Sequence, residues 1–187
     1  MSDPTTDGIL DAARTSVQHF GMRRTTLSDI ARLAGVSRMT VYRRYPDLPA
    51  VMRELMTREF GALMDAIDAG VDGSDGRSRL VARADAAVRG LREHPLLRKL
   101  LEAEPDLLLP YLLGRLGETQ RHGLELIARD VAAGQADGSI REGDARLLAF
   151  SVLLVTQSFL FSAATSEEAD EEEVLAELPR LLDAALR

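Results

Sequence analysis

Cysteine and tryptophan are absent from the 187 residues, and lysine occurs once, at Lys99. The missing cysteine excludes disulfides, thiol nucleophiles and thiolate metal sites. Histidine is scarce too. His19, His94 and His122 fall on separate expected elements with no metal-ligand spacing, so neither a metal nor a cofactor is expected. No serine sits in a nucleophile-elbow context, and the glycine-containing segments match no phosphate-binding pattern, so no catalytic residue is identified. The carboxylates of Glu167 to Glu173 read as a solvated interhelical loop. The N-terminal MSDPTTDG lacks a basic region followed by an apolar core, so no secretory signal is expected and a cytoplasmic location is the default. No stretch alternates at period two over strand length. The expected fold class is all-α, with about nine helices.

What is present is concentrated between Thr25 and Tyr45, TTLSDIARLAGVSRMTVYRRY. This segment reads as two short helices joined at Ala34-Gly35-Val36. Thr26 is placed to cap the first, with Asp29 three positions on completing a Thr-x-x-Asp variant of the capping box. Ile30, Ala31 and Ala34 form an apolar stripe, and Gly35 stands where a helix end needs a positive φ. Ser37 is placed to cap the second helix, while Val41 turns back toward a small core. Arg38, Met39, Thr40, Tyr42, Arg43 and Arg44 are left on the outer faces. Those side chains suit phosphate oxygens and base edges, which is how a helix-turn-helix uses its second helix in the DNA major groove. Arg-rich faces are also common on proteins that never meet DNA, so the layout alone leaves that reading open.

The flanks narrow it. A first helix, GILDAARTSVQHF, with Ile9, Ala13, Val17 and Phe20 on one face, precedes Gly21 and the run RRTT; LSDIARLAGVS and TVYRRYPD follow. Over these 40 or so residues the chain resembles the DNA-binding domain of the tetracycline-repressor (TetR) family of bacterial regulators. The resemblance implies backbone-phosphate contacts at Thr26 and Tyr42. It implies base-facing roles at Arg38, Met39, Thr40 and Arg43. Two positions depart from the family pattern. Met39 stands where many members carry a small residue, and Asp47-Leu48-Pro49-Ala50 lacks the lysine often found there. The resemblance also implies a homodimer acting on a palindromic operator in double-stranded DNA, as a repressor. A helical dimerisation or adaptor protein without DNA binding, and an all-α enzyme, remain as alternatives.

Net charge is −7, but it is unevenly spread. Seven arginines against five acids leave residues 1–47 at +2, so the remainder carries −9. The expected division is a DNA-binding domain over 1–47 and a ligand-binding and dimerisation domain over 48–187.

In that larger part, helix four is expected from about Pro49 to Ala69. Its Met52, Met56, Phe60 and Met64 recur at four-residue spacing, suiting either a core or an adaptable apolar cavity. Met56, Phe60, Met64, Tyr111 and Gln157 are the candidate contacts to a small apolar ligand, with Gln120 and His122 as further polar candidates. Leu116, Leu124, Ile127 and Val131 mark a seventh helix. An apolar helix follows over about 145–164, capped by Asp144. Ser151, Thr156, Gln157, Ser158 and Ser162 dilute it and acids follow it, so a membrane span is not expected. The final helix, about 172–186, shows Val174, Leu178, Leu181 and Ala185 on one face. Surplus apolar surface on these last two helices favours a two-fold dimer, against the simpler reading that they complete the monomer core.

Overall fold

A computed structural model describes residues 3–108, 116–165 and 167–187. Among them are nine α-helices and no strand. They are α1 Pro4–Phe20, α2 Leu27–Leu33, α3 Arg38–Arg44, α4 Leu48–Gly70, α5 Gly76–Glu93, α6 Pro95–Ala103, α7 Glu118–Asp137, α8 Ala145–Ser162 and α9 Glu171–Leu186. Short 3-10 turns follow α6, at Pro105–Leu108, and α8, at Ala163–Thr165. Tyr111 lies outside the described residues.

The described chain groups into two compact units. One comprises Met1–Gly61 with His94–Arg115, the other Ala62–Glu93 with Leu116–Arg187. In the first, α1 packs on α2 and α6, and α2 on α3. Ile9, Ala13 and Val17 are fully buried, as their helical spacing requires. Phe20, expected on that same face, is 55% exposed. It is the last residue of α1, one turn past the final core layer at Val17, and its ring leans on His19 at 6.1 Å. Arg58 on α4 reaches Asp11 on α1 at 2.9 Å and its neighbour Glu59 at 2.8 Å, tying these helices together.

In the second unit, α5 packs against α7, α8 and α9, and α7 against α8. Its least predictable feature is a buried charge network. Arg83 donates from Nε to Asp130 at 2.8 Å and from Nη1 to Asp68, and both Arg83 and Asp130 are almost fully buried. Arg129 grips both oxygens of Asp68, at 2.6 and 3.1 Å. Each buried charge is therefore paired and hydrogen-bonded, the condition under which burial is tolerated. The network fixes the register of α5 and α7 against the last turns of α4.

The Arg129 fork holds the Asp68 carboxyl down to about 2, helped by Arg83 and opposed by burial. A carboxyl whose folded pKa lies below its unfolded value of about 3.9 stabilises the fold above that value. That contribution is lost as pH falls toward 2. Thermal melts of the Asp68→Asn variant should therefore show a flatter stability loss than the parent between about pH 4 and pH 2. Parallel acid limbs in the two proteins would contradict this role.

On α9 the buried face is Leu175, Leu178, Leu182 and Leu186, one step round from the expected row. Leu178 belongs to both rows, Val174 is half-buried, and Leu181 and Ala185 are exposed. The helix has leucines at 175, 178, 181, 182 and 186, so two adjacent faces share the helical period, and the buried one is the richer in leucine. Residues Ala145–Thr165, with mean hydropathy 1.9, are long and apolar enough to cross a membrane, and a third of that stretch is buried.

Candidate nucleic-acid interface

Local bonds build the pair of helices at residues 26–45. Thr26 sits in extended backbone, and its Oγ1 accepts from Asp29 N at 3.1 Å. The same hydroxyl donates to Asp29 Oδ2 at 2.6 Å. This bond is the main reason that the Asp29 carboxyl lies below its ordinary range. Asp29 thus binds the capping hydroxyl, where the usual box binds the capping backbone N–H.

The turn after α2 is a Schellman motif. Val36 N–H reaches back to Ala31 O at 3.1 Å, and Gly35 N–H to Arg32 O at 3.4 Å. Gly35 holds φ +67, a conformation that strains residues with a Cβ. Ser37 then caps α3 by accepting from Thr40 N at 3.0 Å, and the two hydroxyls lie 2.8 Å apart. Ile30, Ala31 and Val41 form the contact between the helices, each no more than 1% exposed. Ala34 and Val36, at the turn, are half-buried.

With Val41 as the sole buried residue of α3, helix geometry decides what faces outward. Met39 and Arg43, one turn apart, stand opposite Val41. Met39 is 75% exposed and Tyr42 52%. Arg38, Arg43 and Arg44 are exposed, and Thr40 is half-buried beside the capping hydroxyl. Among the described residues, neither Arg38 nor Arg43 has an ion-pair partner, whereas Arg44 lies 3.8 Å from Asp3. Two guanidiniums held by a short rigid helix and left uncompensated are suited to fork onto phosphates or guanine edges.

One connection in this unit had no signature in the sequence. Glu104, the residue ending α6, accepts from Met22 N at 2.8 Å and from Arg23 N at 2.9 Å. Its neighbour Asp106 pairs with the Arg23 guanidinium. Partners about 80 positions apart leave no local pattern, and a lone glutamate before proline announces nothing.

The candidate ligand residues are distributed as follows. Met56 is half-buried and Phe60 buried, the latter edge-on to the His94 ring at 5.2 Å. Both belong to the first unit. In the second, Met64 packs with Ala87 and Leu126, and Gln157 is half-buried with its Nε2 unpartnered. Gln120 accepts from Gly117 N at 2.7 Å, and His122 meets Asp65 at 2.9 Å.

Comparison with known proteins points the same way as the geometry. The family model described as bacterial regulatory proteins, tetR family, matches residues 9–55. An uncharacterized HTH-type transcriptional regulator of Mycobacterium bovis is 38% identical over 179 residues, covering 95% of this chain and 92% of its own. Among solved structures, a TetR-family transcriptional regulator from Pectobacterium atrosepticum superposes with a TM-score of 0.76 at 20% identity, covering 98% of this chain and 92% of its own. The fatty acid degradation regulator FadR from Bacillus halodurans does so with a TM-score of 0.71 at 20% identity, covering 100% and 98%. These two likenesses establish the fold, and the mycobacterial relative extends the family along almost the whole length. The chain belongs to the tetR family of bacterial regulatory proteins and is a DNA-binding transcriptional regulator.

Proposed function

We propose that the protein is a homodimeric repressor that binds a palindromic operator through residues 1–47 and releases it when a small apolar ligand occupies the body, residues 48–187. The observation that carries the DNA-binding half is the outer face of α3. There Met39, Tyr42, Arg38 and Arg43 are exposed, and neither guanidinium has an ion-pair partner among the described residues. Thr26, Ser37, Thr40 and Arg44 flank them as further contacts. One such helix offers few base contacts, and a two-fold pair doubles them across a palindrome.

The dimer reading rests on α8 and α9, about 145–164 and 172–186. Leu147, Phe150 and Leu154 make a stripe along α8 that is 66%, 39% and 51% exposed, and Leu181 on α9 is 50% exposed. Apolar rows of this kind on two helices suit a four-helix bundle about a two-fold axis. A membrane is the other solvent that would accept α8. Asp144, Arg146 and the acids from Glu167 onward disfavour it, since no basic cluster marks the end of the helix. A cytoplasmic regulator is the reading that fits.

The ligand reading rests on the sequence alone, on the flexible or aromatic side chains of Met56, Phe60, Met64 and Tyr111 with Gln157 as a polar candidate. Release of DNA on ligand binding requires that the ligand prefer the state unable to bind DNA.

Transcription in vitro from a promoter carrying the recognised duplex tests the repressor assignment. Added protein should lower the transcript in proportion to site occupancy. A rising transcript would replace repression by activation.

A further inference from the structure

The α1–α2 turn lies next to the DNA-facing residues and is held from outside the helix-turn-helix by one carboxylate. Glu104 is only 9% exposed, and each of its oxygens takes one of two consecutive backbone amides, Met22 and Arg23. Gly21 permits this approach. A Cβ there would stand 3.1 Å from Glu104 Oε1, and its φ of +82 already requires glycine. The rest of the turn is tied inward. Thr25 Oγ1 donates to Gly21 O at 2.8 Å, Thr25 N reaches Met22 O at 3.2 Å, and Ser16 Oγ lies 3.0 Å from Thr25 Oγ1. The next residue is Thr26, the cap of α2. Hydrogen bonds at Met22, Arg23 and Thr25 therefore link the Glu104 carboxylate to the residue preceding the α2 cap.

We infer that Glu104 is a positioning residue for DNA recognition: its carboxylate clamps the Met22–Arg23 amides and so sets where α2, and the α3 helix packed on it, sit when DNA arrives. The inference rests on the DNA-binding assignment and adds a determinant that never touches DNA. A carboxylate accepting two N–H groups is a strong and directional tether, because charge assists both bonds. Among the described residues no other side chain bonds these two amides. Arg23 also pairs with Asp106, but that pair is half-exposed on both sides and contributes little by comparison. Without the clamp, the turn samples other arrangements. Apparent affinity then falls in proportion to the fraction of molecules still in the DNA-competent one.

Glu104→Gln is the informative change. Its carbonyl still accepts one N–H, but its NH2 faces the other donor, so one bond is lost and the second loses its charge. The parent and variant, both full-length, are compared for binding to a duplex the parent selects and to an unrelated duplex. Thermal melting, light scattering and amide exchange at Met22 and Arg23 are followed in parallel. The expected result is faster exchange at both amides and about tenfold weaker binding to the selected duplex, the loss of roughly one charge-assisted bond. Unrelated-duplex binding, the dimer and folding at the assay temperature should be unchanged. Asp106→Asn should change selected-duplex binding by less than about twofold. Equal affinity of parent and Glu104→Gln for the selected duplex overturns the inference while leaving DNA binding intact. An equal loss on both duplexes also overturns it, because a merely structural role would behave that way. A parent that selects no duplex overturns the DNA-binding assignment, and the inference falls with it.

Discussion

Arg43→Ala should weaken binding to the operator by about 30-fold or more while leaving folding and dimer formation unchanged. Arg43 stands opposite the buried Val41 on α3 and is exposed, with no ion-pair partner among the described residues. Removing it takes nothing from the core. Facing DNA, a forked guanidinium contact to guanine is worth about 1–3 kcal/mol. A dimer loses two, so the deficit is roughly 2–6 kcal/mol per operator. Tyr42→Phe separates positioning from reading. A phosphate contact carries no sequence information, so its loss should weaken all duplexes alike and keep their ranking. Arg43→Ala should change the ranking at one position in each half-site. Titrations of both variants against a panel of single-substituted operators measure the difference. Operator affinity within about twofold of the parent for Arg43→Ala would remove Arg43 from the reading face.

The second large effect belongs to α8. Phe150→Glu combined with Leu154→Glu should convert the dimer into a monomer at micromolar concentration. Both side chains are partly exposed in one chain and offer apolar area that only a partner can remove from water. Burying such a residue stabilises by about 1.5–3 kcal/mol when complete. Glutamates there would instead place four carboxylates about the two-fold axis, each paying a desolvation penalty without a partner. The monomer fold should survive, because the core of α8 is formed by Leu148, Ala149, Val152 and Leu153 on another side of the helix. Light scattering reads the mass, and operator titration reads the consequence. A single head loses the effective concentration that links two half-sites, so affinity should fall by about 100-fold or more. A double variant that remains dimeric would move the interface away from α8.

The parts of this structure that were legible in advance are those whose partners lie within a few residues. Thr26 and Asp29, Ser37 and Thr40, and Asp144 with Arg146 and Leu147 are caps closed over two or three positions. Gly35 is equally local, since its φ of +67 answers the end of its own helix. The outward face of α3 followed from these, because a capped helix with one buried valine leaves its other faces determined. Phe20 was misjudged because periodicity assigns a face but not how far along a helix the neighbouring core extends. On α9, leucines on two adjacent faces satisfy the same period, and packing against α5 and α8 favoured the one with Leu175 and Leu182. Asp130 and Arg83 resemble any surface arginine and aspartate until the fold buries both. Glu104 is the extreme case, with backbone partners 81 and 82 positions away. Contacts of that span belong to tertiary structure, and a single sequence does not encode them as a pattern.

Two copies of this chain are expected to read a palindrome. Selection of bound duplexes from a random library, using the purified protein without added ligand, tests it most directly. The expected result is recovery of one inverted repeat, with half-site spacing equal to the separation of the two α3 helices in the dimer and with weaker recovery as salt rises. No enrichment at low salt, or a single unsymmetrical site bound by one chain, would contradict it.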